Sequence, residues 1–255
     1  MQKQKLLIGK KRLSGMKRNI LFYIIILILL SAAQCRKENA APAMNPSIIP
    51  ALHSDSLKTF LALGDSYTIG QSINATERFP DQTARLLSTN GITMAQPKYI
   101  AMTGWTTDNL AGAINLQMPA GNYDVVTLLI GVNDQYQRHD TAGYRERFTN
   151  LLKTGISLAG NRPSHVFVLS IPDYSVTPFA NNTDTAFIRM QIDLFNMINQ
   201  QITVQETCNY LYITALTREA KYDLSLLATD GLHPSGKEYG IWAALLAPLM
   251  SNVLR

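Results

Sequence analysis

Cysteine is nearly absent from this chain, with Cys35 and Cys208 the only two in 255 residues. Because Cys35 sits in an amino-terminal segment ahead of the folded part, Cys208 has no internal partner, and a disulfide framework is excluded. Histidine is almost as scarce, at four residues, and no Cys/His cluster has the spacing of a metal site. The longest apolar run, residues 20–33, is shorter than the ~20 residues a spanning helix needs. No internal repeat divides the chain, and the span 58–255 is long enough for one domain with a full core.

Acidic residues are also missing before Cys35, although seven of the 23 Lys and Arg lie there. Removing that segment leaves 16 basic groups against 18 acidic ones, a formal −2 where the whole chain has +5. The basic balance therefore belongs to the amino terminus, and it argues for neither nucleic acid nor an anionic surface as partner.

What stands at that terminus is a pattern. Met16-Lys17-Arg18-Asn19 opens with charge and is an alternative start; residues 20–30 are almost wholly apolar; Ser31-Ala32-Ala33-Gln34-Cys35 closes with small residues. Charged start, apolar middle and small-residue end describe an export signal over residues 1–35. A cysteine in that position resembles the lipobox of bacterial lipoproteins, although Ala32 and Gln34 depart from its usual leucine and small residue. The resemblance implies lipidation at Cys35 and a membrane-anchored lipoprotein exported from a bacterial cell; simple release to the periplasm or medium is the alternative. Residues 36–57, polar and bearing Pro, Ala and Asn, read as a flexible tether.

The folded part begins with Phe60-Leu61-Ala62-Leu63-Gly64-Asp65-Ser66, an apolar run of strand length that stops at a glycine and then presents an acid and a serine. Further strands are expected at 99–102, 123–130, 166–172 and 210–213, the run at 123–130 apolar on consecutive positions as in a strand buried on both faces of a parallel sheet. Helices are expected near 79–87 (proline near its start and Asn90-Gly91 as its stop), after Thr106-Thr107-Asp108, at 141–158, at 185–207, and from Pro234-Ser235-Gly236 onward through Ile241, Leu245, Leu246 and Leu249. Polar loops are expected at 135–140 and 173–183. Strands alternating with helices predict an α/β fold: a three-layer α/β/α sandwich around a parallel sheet of about five strands, with right-handed crossovers. Gly64, Gly104 and Gly131 each end a strand pattern, so they and the loop carrying Asp230 to His233 belong on one rim.

A serine after a strand is by itself a turn or cap residue. As a nucleophile it needs a base, and the base needs an orienting group. His53 lies in the tether, His139 in a polar loop, and His165 in a turn before a strand. His233 differs, because in Asp230-Gly231-Leu232-His233-Pro234 an acid stands three residues before it on a glycine-containing turn. That spacing lets the carboxylate accept from Nδ1 while Nε2 faces Ser66. The oxyanion formed in acyl transfer needs fixed donors, for which the backbone N–H groups of Ser66 and Gly104 and the Asn133 amide are the candidates.

Gly64-Asp65-Ser66, Thr103-Gly104, Gly131-Val132-Asn133-Asp134 and Asp230-Gly231-Leu232-His233-Pro234 resemble, in order, the four blocks of the SGNH or GDSL hydrolases. Tyr67 stands where the family's name has leucine. The resemblance covers essentially the whole domain and implies a flavodoxin-like sandwich with Ser66 as nucleophile, His233 as base and Asp230 as its orienter. It implies no metal and no cofactor. The Gly-x-Ser-x-Gly elbow of the α/β-hydrolases is absent around Ser66. Asp65 is expected to hold the turn rather than to react. The implied activity is a serine esterase acting on acyl-ester small molecules, lipids or acetylated glycans. A carbohydrate O-acetylesterase, an acyltransferase to an alcohol and a catalytically silent binding module remain as alternatives. Tyr67, Trp105, Tyr136 and the 173–183 loop are the expected pocket walls.

Overall fold

A computed structural model describes residues 57–255. The signal, Cys35 and all of the tether but Leu57 lie outside the described residues. Among the described residues no helix is long and apolar enough to cross a membrane.

The elements run β1 (Phe60–Gly64), α1 (Ser66–Ile69), α2 (Phe79–Thr89), β2 (Lys98–Ala101), α3 (Thr107–Gln117), β3 (Val125–Leu129), α4 (Val132–Arg138), α5 (Thr141–Leu158), β4 (Val166–Leu169), α6 (Thr185–Gln205), β5 (Asn209–Leu211), α7 (Thr214–Thr217) and α8 (Gly236–Leu254), with 3₁₀ turns between them. The five strands form one parallel sheet in the order β2-β1-β3-β4-β5. Every residue of β1, β3 and β4 is buried, whereas β2 and β5 are half-exposed. Those apolar runs therefore mark the interior strands, and the two more polar ones mark the edges.

Strand order also fixes the layers. β2 lies on one side of β1 and β3 on the other, so right-handed crossovers send α2 to one face of the sheet and α3, α5 and α6 to the opposite face. The packing agrees: α5 contacts both α3 and α6, and α8 returns to pack along α2. Phe79 of α2 meets Tyr239 and Trp242 of α8 at ring-centroid distances of 6.1 and 6.0 Å, and Tyr144 of α5 meets Phe195 of α6 at 4.5 Å. Fully buried aromatics thus fill both sides of the sheet. Between β1 and β3 the chain leaves the sheet toward opposite faces, and this switch opens a crevice beyond the carboxyl ends of the two strands.

Three expectations change. Residues 132–138 form α4 where polar residues had suggested a loop from 135. Asp134 and Gln135 are fully buried there, each satisfied by partners distant in sequence. The turn after β1 is itself a helical turn, α1. In α8 the buried face is Trp242, Ala243, Leu246 and Met250, while Ile241, Leu245 and Leu249 are exposed. That helix is apolar nearly all round, so its stripe could not be placed from the pattern alone.

Gly64 is where the backbones come closest. A Cβ there would stand 2.0 Å from Thr68 Oγ1 and 2.3 Å from the Leu129 carbonyl of β3, so the last residue of β1 must be glycine for α1 to fold back onto the sheet. Gly64→Ala is expected to lower the unfolding free energy by about 3 kcal/mol in urea titration. An unchanged midpoint would contradict this close approach.

Candidate active site

The crevice between β1 and β3 begins with Ser66, the first residue of α1. Asp65 caps that turn: its side chain accepts the Tyr67 N–H at 3.0 Å, and its carbonyl accepts those of Thr68 and Ile69 at 3.1 Å each. Burial pushes the Asp65 carboxyl up to about 8; the Tyr67 N–H works against the shift, and the nearby Asp134 adds to it. Asp65 is thus a buried cap, as expected of the residue that holds the turn.

His233 arrives from the other end of the chain. Its Nε2 lies 2.9 Å from Ser66 Oγ and its Nδ1 lies 2.7 Å from Asp230 Oδ2. The other Asp230 oxygen, Oδ1, accepts the backbone N–H groups of Leu232 and His233, both at 3.0 Å, so the acid also shapes the turn that carries the ring. A third partner was not foreseen: Ser72 Oγ donates to Oδ2 at 2.7 Å. Partial burial raises the Asp230 carboxyl, but the Ser72 hydroxyl, the His233 and Leu232 backbone N–H groups and the imidazole outweigh it and hold it at about 2. An ionised carboxylate only accepts, so Nδ1 must carry a proton, and the Nε2 lone pair faces the Ser66 hydroxyl.

The loop after β2 and the helix after β3 are laced together above Ser66. Asn133 Nδ2 donates to the Trp105 carbonyl at 3.0 Å, Gln137 Nε2 to the Gly104 carbonyl at 3.1 Å, and Thr103 Oγ1 to Gln71 Oε1 at 2.6 Å. Beneath them Asp134 takes the Thr107 N–H at 2.8 Å and its hydroxyl at 2.7 Å, with Arg147 at 3.5 Å. Burial raises the Asp134 carboxyl, against the pull of these Thr107 bonds and of Arg147. Gly104 adopts φ +80°, a left-handed turn suited to glycine, with open space where a Cβ would be. Among the described residues no protein acceptor takes the N–H of Ser66 or of Gly104. One Asn133 N–H remains beyond the one given to Trp105.

A cavity of about 100 Å³ opens at Ser66, Asn133 and His233. Its walls are Tyr67, Val132, Tyr136, Tyr174, Phe179 and Leu232. Tyr136, Tyr174 and Phe179 stand 6.2–6.3 Å apart by ring centroid, an aromatic triangle supplied by α4 and the 173–183 loop. Tyr174 is anchored by its hydroxyl to Gln135 Oε1 at 3.0 Å. One expectation shifts here. Trp105 does not line this cavity; it packs against the core, and its carbonyl accepts from Asn133. His139 Nδ1 meets Gln191 Oε1 at 2.6 Å and His165 Nδ1 meets the Asp124 carbonyl at 2.6 Å, so neither competes for Ser66; His53 lies outside the described residues. Among the described residues no cluster of His, Cys, Asp and Glu could hold a metal ion.

The raised Asp65 carboxyl has a consequence for stability. Its folded value of about 8 exceeds the ordinary 3.8, so the folded state holds a proton that the unfolded chain has lost. Stability from this residue is complete below about pH 4 and declines as pH rises toward about 8. Asp65→Asn keeps the cap and removes the buried acid, so the variant's melting temperature should fall less than that of the wild type between those limits. Parallel profiles would contradict the raised value.

A family model for the GDSL-like lipase/acylhydrolase family matches residues 62–241, which include all four blocks. No curated protein matches the sequence. Among solved structures, a lipase/acylhydrolase from Enterococcus faecalis is 20% identical with a TM-score of 0.57, covering 77% of this chain and 96% of its own. The lipase Lip_vut3 from a goat rumen metagenome is 18% identical at 0.58, covering 75% and 97%. A variant of an acetyl xylan esterase from Geobacillus stearothermophilus is 17% identical at 0.52, covering 76% and 96%. At these identities the likeness is one of fold, while the family model spans most of the chain from the first block to the last. The chain belongs to the GDSL-like lipase/acylhydrolase family.

Proposed function

We propose that the protein hydrolyses carboxylic esters by two-step acyl transfer through Ser66. The observation that carries this reading is the continuous line from Asp230 Oδ2 to His233 Nδ1 at 2.7 Å and from His233 Nε2 to Ser66 Oγ at 2.9 Å. A serine hydroxyl becomes a nucleophile when a neutral imidazole takes its proton as the bond to carbon forms. The ester carbonyl oxygen then carries negative charge, which the N–H groups of Ser66 and Gly104 and the remaining Asn133 N–H are disposed to receive. His233 returns the proton to the leaving alcohol. Water enters the same position, loses a proton to His233 as it attacks the acyl carbon, and the acid departs as His233 returns that proton to Ser66 Oγ. Asp230 holds the ring and offsets the imidazolium charge at each stage. Since Asp230 stays ionised down to about pH 2, an acid loss of activity at higher pH reports on the ring, not on its orienter.

The wall chemistry supports short acyl groups. A cavity of about 100 Å³ lined by four aromatic side chains suits a small acyl group beside Ser66, and two of them, Tyr136 and Phe179, are about half exposed. Such rings suit a sugar ring as the alcohol part, so an O-acetylated carbohydrate is the second reading, in keeping with the likeness to an acetyl xylan esterase. A series of p-nitrophenyl esters should show kcat/KM falling as the acyl chain lengthens. A rising series would favour lipids instead.

Ser66→Ala should abolish ester turnover while the circular-dichroism spectrum is unchanged. Asn133→Ala should lower kcat by about 10²–10³ with KM little altered, as for loss of one oxyanion donor. Activity retained in purified Ser66→Ala protein would end this reading, and a loss confined to KM in Asn133→Ala would remove Asn133 from the oxyanion site.

A further inference from the structure

Asp230 receives a donor that an orienting acid does not require. Three of the four groups on its carboxylate come from its own turn: the Leu232 and His233 backbone N–H groups on Oδ1 and His233 Nδ1 on Oδ2. The fourth comes from Ser72, 158 residues away, whose Oγ reaches Oδ2 at 2.7 Å, the oxygen that also serves the imidazole. Ser72 belongs to the nucleophile's own segment. It lies just past Gly70, which caps the end of α1, and the Gln71 N–H beside it returns to the Ser66 carbonyl at 3.1 Å. Ser66, His233, Asp230 and Ser72 therefore form a closed ring, completed through the short chain from 66 to 72. Were Ser72 absent from it, the Asp230 carboxylate would be held to the nucleophile's segment only through the imidazole it orients.

The backbone at Ser72 adds a second observation. Its φ is +66°, a left-handed conformation that glycine or asparagine adopts more readily than serine. The residue is exposed, so neither packing nor burial asks for a serine. What the serine supplies is the hydroxyl on Asp230.

We propose that Ser72 is a positioning residue for the esterase reaction, fixing Asp230 against the turn that carries Ser66 and sharing the carboxylate oxygen that faces His233. The proposal rests on the reading of Ser66, His233 and Asp230 as the reacting triad. Its chemistry follows from the shared oxygen. A hydroxyl donating to Oδ2 draws charge from it, so the carboxylate holds a protonated imidazole less strongly than it otherwise would, and the ring stays neutral to lower pH. The same bond limits how far the carboxylate can swing from the ring as charge develops during the reaction.

Tyr67 lies with its ring 5.2 Å from the imidazole. Around that tyrosine and Tyr239 of α8 stand the other titratable groups of the neighbourhood: Asp65 before the nucleophile, Asp173 and Tyr174 from the loop after β4, Glu238 from α8, and Arg78 from the segment before α2. All are common to the wild type and a Ser72 variant, so the difference between their profiles isolates the hydroxyl.

The test uses the full chain, a short-chain p-nitrophenyl ester and Ser72→Gly, which keeps the left-handed backbone and removes only the hydroxyl. The expected result is kcat lower by about 10-fold with KM within about twofold, as for loss of a hydrogen bond to a charged group. The acid limb of the kcat/KM profile should move up by about half a pH unit, since Oδ2 then serves the imidazolium alone. Ser72→Ala should share the shifted limb whatever its melting temperature. In an Asp230→Asn background the same Ser72→Gly change should cost less than about twofold, because its route of action is gone. A superimposable pH profile, a loss appearing only in KM, or an undiminished loss in the Asp230→Asn background would each overturn the role given to Ser72. Wild-type activity in Ser66→Ala would instead overturn the reading on which it rests.

Discussion

The hydrogen bond between His233 and Ser66 spans 167 residues and joins the first strand–helix junction of the domain to the last. It depends on the sheet. β1 is an interior strand, paired with β3 so that Gly64 stands opposite Leu129, and both strands therefore end at one level. Ser66 and Asn133 follow those ends, and the chain departs from them toward opposite faces, which leaves the space between them open. Having left β5, the chain returns as α8 to the face already occupied by α2, and on the way it passes over that space and delivers Asp230 and His233. Aromatic packing between Phe79, Tyr239 and Trp242 fixes the return, and the Tyr239 hydroxyl donates to the Tyr67 carbonyl at 2.8 Å, tying α8 directly to the nucleophile's turn.

Three carboxylates surround the site, and their environments divide their work. Asp65 and Asp134 are buried and shifted upward by that burial; Asp65 accepts the Tyr67 N–H of its own turn, and Asp134 accepts the N–H and hydroxyl of Thr107 at the start of α3. Asp230 is partly exposed, carries four donors and is held ionised. Ionisation is thus favoured at Asp230, where an imidazolium would form, and opposed by burial at Asp65 beside the nucleophile.

Much of this was legible in the sequence because it is local. Apolar runs on consecutive positions marked β1, β3 and β4, caps and stops marked most helices, and the three-residue spacing of Asp230 and His233 permits their 2.7 Å contact within one turn. What escaped reading was polar and long-range. Gln135 read as a loop residue, and the burial of Asp134 beside it went unread, because burial of a polar side chain depends on partners such as Thr107 and Gln191, which no local pattern announces. Ser72 carries no local signal, because its partner Asp230 lies 158 residues away. The face of α8 was ambiguous for the opposite reason, since apolar residues on all sides leave no stripe to choose.

The central claim is that Ser66 forms a covalent acyl intermediate with His233 as its base. Rapid acid quenching of the protein during turnover of an activated short-chain ester, followed by peptide mass spectrometry, tests it most directly. The account predicts a mass increment equal to the acyl group on the peptide containing Ser66. Turnover with no acylated peptide at any quench time, or with the acyl group on another residue, would contradict it.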